Sequence, residues 1–245
     1  GLPVHRVGLS ATYRPGKDTV RRAIEDGLNY FFCFGVDTQM TGVLREAMTG
    51  RREKFVVATG AYNLLLGHPN LERTLEKRLR QLGTDYIDIF MYLGVVREKD
   101  FPPSLIEKFQ KLKDTGKVRF IGISTHARTF AGRLAAENRV DVLMMRYNAA
   151  HRGAEQDIFP FVRAHDTGVT SFTATRWRYL IRRPREARWP NDWPIPTAGQ
   201  CSRFVLSNPA VHVCLMSPTN IRQVEENMTE IREKGPLGPD EMTFM

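Results

Sequence analysis

The chain is 245 residues long, 42% hydrophobic and 26% charged, with 36 Lys and Arg against 27 Asp and Glu for a formal net charge of +9. That length can bury a full core, that composition belongs to a globular protein rather than a disordered or fibrous one, and no apolar run approaches the ~20 residues of a bilayer-spanning helix. The basic balance leaves nucleic acid, an acidic ligand and a merely basic surface open, since net charge speaks to steering and solubility rather than to fold.

Strand and helix alternate along the chain. VHRVGLSA and NYFFCF flank the helix KDTVRRAIEDG, whose Val20, Ala23 and Ile24 share one face and which ends at Gly27. FVVATG is a short buried strand. It leads to NLERTLEKRLRQLG, where Leu71, Leu75, Leu79 and Leu82 form a helical stripe, Asn70 can cap the start and Gly83 the end. YIDIFMYLG is the next strand, and SLIEKFQKLKDTG reads as a helix opening on a Ser104/Glu107 capping box with Ile106, Phe109 and Leu112 turned inward.

The second half repeats the pattern: VRFIGIS, helix ARTFAGRLAAEN, strand VDVLMMRYN, helix AEQDIFPFVRAHD, strand GVTSFTA. After an Arg/Trp/Pro-rich stretch come a helix around CSRFVLSN, the strand VHVCLM and the helix NIRQVEENMTEI. Strands that are continuously apolar belong to a parallel sheet covered on both faces. Eight such βα units predict an α/β fold, a single-domain (β/α)₈ TIM barrel over residues 1–235 with a loop insertion at 176–197. Any active site then lies on the loops after the strands. Residues 236–245 read as a C-terminal extension. Cys33, Cys201 and Cys214 are odd in number and far apart, and the opening GLPVHRVGLS lacks the charged-then-apolar pattern of a secretory signal; reduced thiols in a cytoplasmic protein are expected, and no metal site.

LGTDYIDIFMY, GKVRFIGIS, RYNAAHRGAEQDIFPFVRAHDTGV and RFVLSNPAVHVCLMSPTNIRQVEENM, together with RAIEDGLNYF and RREKFVVAT near the start, resemble the aldo-keto reductase superfamily in order and spacing over nearly the whole chain. The likeness is greatest to the bacterial branch that often carries a ferredoxin-like tail, although no cysteine cluster for iron–sulfur binding follows here. The resemblance implies reduction of a carbonyl by hydride from NADPH, with a Tyr as general acid, a Lys and an Asp that tune it and a His that orients the carbonyl. A phenol near its usual pKa of about 10 needs such neighbours to exchange protons at neutral pH. The family's Asp falls on Phe32, with Cys33 next, its Tyr on Asp37 by an ungapped count, its Lys on Gly60 and its His on Leu93. The frame is kept without the reactive groups.

Three residues are candidates to stand in for them. Asp37 could serve as acid or base if buried, against the plainer reading of a turn or helix-capping carboxylate. Tyr92 and His126 lie near strand ends, against readings as a packed ring and a helix cap. Cys33, between phenylalanines, reads as an inert buried thiol.

For the cofactor, NADP or NAD, the resemblance assigns Ser124 to the nicotinamide carboxamide with Thr125 after it, and Phe172 to ring stacking, followed by Thr173, Ala174 and Thr175; a usual Gln appears as Met144. Gln223, Glu226 and Asn227 match the adenine-end contacts. Ser217, Thr219 and Asn220 begin the last helix, where free N–H groups favour phosphate, and Arg222 could replace the missing partner of a 2′-phosphate. RQVEEN also reads as a solvated face opposite Ile221, Val224 and Met228.

RWRYLIRRPREARWPNDWP, residues 176–194, holds all three tryptophans. It could close on an anionic ligand or on single-stranded nucleic acid, or be a basic loop with its tryptophans packed on the barrel, the preferred reading. Prolines 184, 190, 194 and 196 argue against one regular helix. The expected partner is therefore a small molecule, carbonyl-type or anionic, rather than nucleic acid or a membrane, with a protein partner left open. Three functions compete: a divergent oxidoreductase using another proton donor, a catalytically silent barrel that senses nucleotide or binds a partner, and a lyase or isomerase on the same scaffold.

Overall fold

Apolar strands of this kind need cover on both faces, and the structure, a computed structural model, provides it. It describes residues 1–34, 36–62, 69–184, 190 and 192–245. Part of the Arg/Trp-rich insertion, residues 185–189 and 191 with Trp189 among them, lies outside the described residues. The first half runs β1 (Val7–Ser10), α1 (Lys17–Glu25), β2 (Tyr30–Phe32), α2 (Gln39–Ala47), β3 (Val56–Tyr62), α3 (Leu71–Leu82), β4 (Ile87–Val95) and α4 (Pro103–Asp114). The second runs β5 (Val118–Thr125), α5 (Arg128–Ala136), β6 (Val142–Arg146), α6 (Ala154–Asp157), α7 (Phe159–Ala164), β7 (Gly168–Phe172), α8 (Ala198–Ser207), β8 (Val213–Met216), α9 (Ile221–Lys234) and α10 (Pro239–Phe244).

The eight strands pair in parallel in sequence order, and β8 closes on β1 with Val7 opposite Cys214. The fold is the (β/α)₈ barrel that the sequence predicts. Alternation along each strand divides the core. Tyr30, Phe32, Ala58, Met91, Leu93 and Leu215 fill the lumen, while Phe31, Val57, Phe90 and Tyr92 pack outward under the helices.

Local signals explain most element ends. Asn70 Oδ1 accepts the Arg73 N–H at 2.8 Å, and Gly83 closes α3 in the left-handed region at φ +64°. The Ser104/Glu107 capping box is corrected: α4 begins at Pro103 after Pro102 and has no side-chain cap. Proline at the first position has its φ preset and no N–H to satisfy, so Ser104 falls inside the first turn. The helix expected over AEQDIFPFVRAHD is two, broken at Ile158, because the Pro160 ring excludes a continuous ladder. A capping box does open α8, from Thr197 to Gln200.

Two buried charge clusters hold the ends of the molecule. Asp88, fully buried near the start of β4, accepts from Arg52 at 2.7 Å, from Arg119 at 2.9 Å and from the Val57 N–H. Arg203 on α8, 2% exposed, grips both oxygens of Glu241 at 2.6 and 2.7 Å and the Gly235 carbonyl at 2.7 Å, which docks α10. Cys33, Cys201 and Cys214 are all buried free thiols. Among the described residues no helix is long and apolar enough to cross a membrane.

Candidate functional site

At the C-terminal ends of the strands the last residues of the lumen cluster are Phe32, Leu93, Met144 and Leu215. They floor a cavity of about 610 Å³, within the range of roughly 300–1,000 Å³ that holds small ligands. The floor is aromatic on one side: Phe32 meets Phe34 edge-on at 4.9 Å, and Phe34 lies nearly parallel to Tyr62 at 6.2 Å. Gly60, one pleat below Tyr62, has no room for a side chain, since a Cβ there would sit 2.1 Å from the Met91 carbonyl oxygen on the adjoining strand.

One wall comes from β5 and β7. Ser124, His126, Phe172 and Thr173 all line the cavity, and the His126 ring meets the edge of Phe172 at 5.7 Å. Burial, then the charge of Arg146, holds His126 below its ordinary pKa of 6.5, so the ring is neutral at pH 7. Asn148, fully buried after β6, donates to the Thr173 carbonyl at 2.8 Å and fixes the loop that leaves β7. Thr173 Oγ1 is itself buried with no hydrogen-bond partner among the described residues.

The far wall is the start of α9. Ser217, Gln223, Glu226 and Asn227 face the same cavity. Asn220 caps the helix by accepting the Gln223 N–H at 3.0 Å. Gln223 Oε1 accepts from the Thr219 N–H and hydroxyl, and Arg222 pairs with Glu226 at 2.6 Å. Thr219, Asn220 and Arg222 thus shape the rim without lining the cavity.

The remaining sequence candidates point elsewhere. Asp37 Oδ1 accepts the Gln39 and Met40 N–H groups at 2.7 and 3.0 Å, capping α2, while Oδ2 is buried and has no hydrogen-bond partner among the described residues. Tyr92 is fully buried in the helix layer, 5.7 Å from Phe101, with its phenol pushed up to about 12 by burial. Thr125 spends its hydroxyl on the Val95 carbonyl and the Ala127 N–H, both at 2.9 Å. Burial likewise pushes the Cys33 thiol up to about 12.

Other residues at the cavity were not named one by one from the sequence, although Trp177 and Arg178 among them belong to the 176–194 stretch. Tyr62 lines it at 41% exposure; alternation from Ala58 through Gly60 would have put it on the lumen face. Burial pushes its phenol up to about 12, and the nearby half-buried Arg78 guanidinium of α3 opposes that rise. Trp177 and Arg178 line the mouth; Arg178 lies over the Tyr13 ring at 5.2 Å and Arg146 over Trp177 at 5.7 Å. Thr173, Arg176, Trp177 and Arg178 all hold positive φ, between 49° and 72°. For a non-glycine residue that costs on the order of 1–2 kcal/mol each, and no sequence signal announces it. Among the described residues no cluster of His, Cys, Asp and Glu is arranged to hold a metal ion.

The profile of the Aldo/keto reductase family matches residues 14–176. Among curated proteins, L-galactose dehydrogenase of Arabidopsis thaliana is 24% identical across the whole chain and 89% of its own length. The aldo-keto reductase YhdN of Bacillus subtilis is 26% identical over 70% of this chain and 58% of its own. Among solved structures, the holo form of a Bacillus halodurans aldo-keto reductase superposes with a TM-score of 0.79 over 98% of this chain and 91% of that one, at 22% identity. A Klebsiella pneumoniae aldo/keto reductase in complex with NADP and acetate gives 0.75 over 98% and 89%, at 21% identity. At such identities the two superpositions speak to the fold.

Proposed function

The chain belongs to the aldo/keto reductase family, and from that premise we propose that it binds a nicotinamide dinucleotide, NADP or NAD, across the mouth of its barrel and lacks the family's usual proton-transfer tetrad. One observation carries the reading: a single cavity joins Ser124 and Phe172 at one end to Gln223 and Asn227 at the other, the two sets that the family resemblance assigns to the nicotinamide and adenine halves. The residues present fit such a group. Thr173 Oγ1 is a buried hydroxyl without a hydrogen-bond partner among the described residues, beside the strand that the nicotinamide would face, and the start of α9 offers backbone N–H groups and a positive dipole end to phosphate. Arg222 could turn to a 2′-phosphate at little cost, because its ion pair with Glu226 is exposed.

When bound, the dinucleotide supplies hydride. Ser124 would hold the carboxamide, Phe172 would stack on the ring, and the apolar floor would exclude water from the reacting face. The substrate is a small carbonyl-type or anionic molecule, with Arg178 at the mouth to meet a negative group. Phe32, Gly60 and Leu93 offer no proton at the positions of the Asp, Lys and His, and Asp37 is committed to capping α2.

A second reading, a silent barrel that senses nucleotide or binds a partner, is favoured by Gly60, where the neighbouring strand leaves no space for a lysine. Trp177 lines the cavity, so titrating NADPH and NADH against intrinsic fluorescence tests both readings. Saturable quenching, matched by calorimetry at one site per chain, is the expected result. No response to either nucleotide would overturn the dinucleotide readings and leave a partner-binding barrel, a lyase or an isomerase.

A further inference from the structure

Strand alternation sets Ala58, Gly60 and Tyr62 on one face of β3. Tyr62 stands one pleat, about 6.6 Å, above Gly60, and its register partner on β4 is Leu93. A tyrosine therefore sits beside two positions that the family resemblance gives to proton-transfer groups, displaced toward the mouth. Its ring is fixed by the near-parallel contact with Phe34, and it lines the cavity with an open edge. The other phenols are placed differently. Tyr30 is buried low in the lumen against Thr170 at 3.0 Å and Tyr92 is in the helix layer, while Tyr13, which also lines the cavity, stands on the β1 side with the Arg178 guanidinium over its ring.

We propose that Tyr62 is the proton donor of the site. The inference rests on the oxidoreductase reading above. As a carbonyl carbon accepts hydride, the π electron pair moves onto its oxygen, which takes the Tyr62 hydroxyl proton; the phenolic O–H bond breaks, and water at the open edge returns a proton to the phenolate. Arg78 favours the charged form that the step leaves. Burial keeps the phenol protonated throughout the neutral range, so the proton is in place, and the charge of Arg78 opposes the weakening of the acid that burial brings. Gly60 explains the displacement: any longer side chain there would strike the β4 backbone.

The test uses the full chain loaded with NADP⁺ and para-dimethylaminocinnamaldehyde, a chromophore whose absorption moves to longer wavelength when its carbonyl accepts a hydrogen bond. The wild type and Tyr92→Phe should both show that shift, and Tyr62→Phe should lose it. With NADPH and para-nitrobenzaldehyde, Tyr62→Phe should lower kcat by about 100-fold or more while leaving KM nearly unchanged. A shift or a kcat that survives in Tyr62→Phe overturns the inference. So does NADPH that binds without any consumption of aldehyde. Failure of NADPH to bind removes the oxidoreductase reading itself.

Discussion

Side chains at the mouth differ in what already holds them, and this decides what each substitution should do. Asp37 gives Oδ1 to two backbone N–H groups at the start of α2. Asp37→Ala should therefore destabilise the fold by about 1 kcal/mol in urea denaturation and leave NADPH affinity unchanged; a loss of affinity with unchanged stability would contradict the capping role. His126, His151 and His212 are each held below the ordinary 6.5, first by burial. The unfolded chain then binds more protons than the fold below that pH, so stability present above 6.5 is lost as pH falls through it. Glu155 and Glu241 are depressed below 4.5, Glu241 to about 2 by its hydrogen bonds to Arg203, and withdraw their contribution further down, below 4.5. A urea midpoint that stays constant as the buffer is taken below 6.5 would contradict this. The sequence named Asp37 with both its readings because a carboxylate before a helix is a local signal. It passed over Tyr62, whose importance comes from the lumen face of β3 and from Arg78 on the next helix.

Elements were legible where a local rule decides them. The Leu71–Leu82 stripe, with Asn70 and Gly83 at its ends, needed only helical spacing and two caps. The Ser104/Glu107 reading failed because proline outranks a serine one residue later, and the helix after β6 broke at Ile158 because Pro160 sits within its pattern. Gly60 tests how tightly β3 and β4 are joined. Gly60→Ala places a Cβ against the Met91 carbonyl oxygen at 2.1 Å and should cost about 1–3 kcal/mol of overpacking, read as a lowered urea midpoint; an unchanged midpoint would mean that the strands can part. Arg203 ties α8 to α10. Arg203→Ala should lower the urea midpoint, because it removes the buried half of the pair with Glu241, and should expose residues 235–245 to limited proteolysis before the barrel. Resistance of that segment in the variant would contradict its tether.

At the scale of the whole molecule, eight apolar runs alternating with helices were enough for the barrel, since a parallel sheet covered on both faces leaves few alternatives. The site was legible only in part. Ser124, Phe172, Gln223 and Asn227 were named through family likeness and face one cavity, whereas Thr125, next to Ser124 on β5, and Tyr92 on β4 point away. One residue of register decides the face, and position along the sequence alone does not reveal it. The left-handed turn at 176–178 that sets Trp177 and Arg178 at the mouth had no glycine to announce it. The central claim is that the cavity at the mouth is a dinucleotide site above an apolar floor. A crystal structure of the protein grown with NADP tests it most directly. The account predicts electron density for one dinucleotide running from Ser124 and Phe172 to Gln223 and Asn227, with Tyr62 as the nearest phenol to the nicotinamide; a dinucleotide bound elsewhere, or a cavity that stays free of it at saturating concentration, would contradict the account.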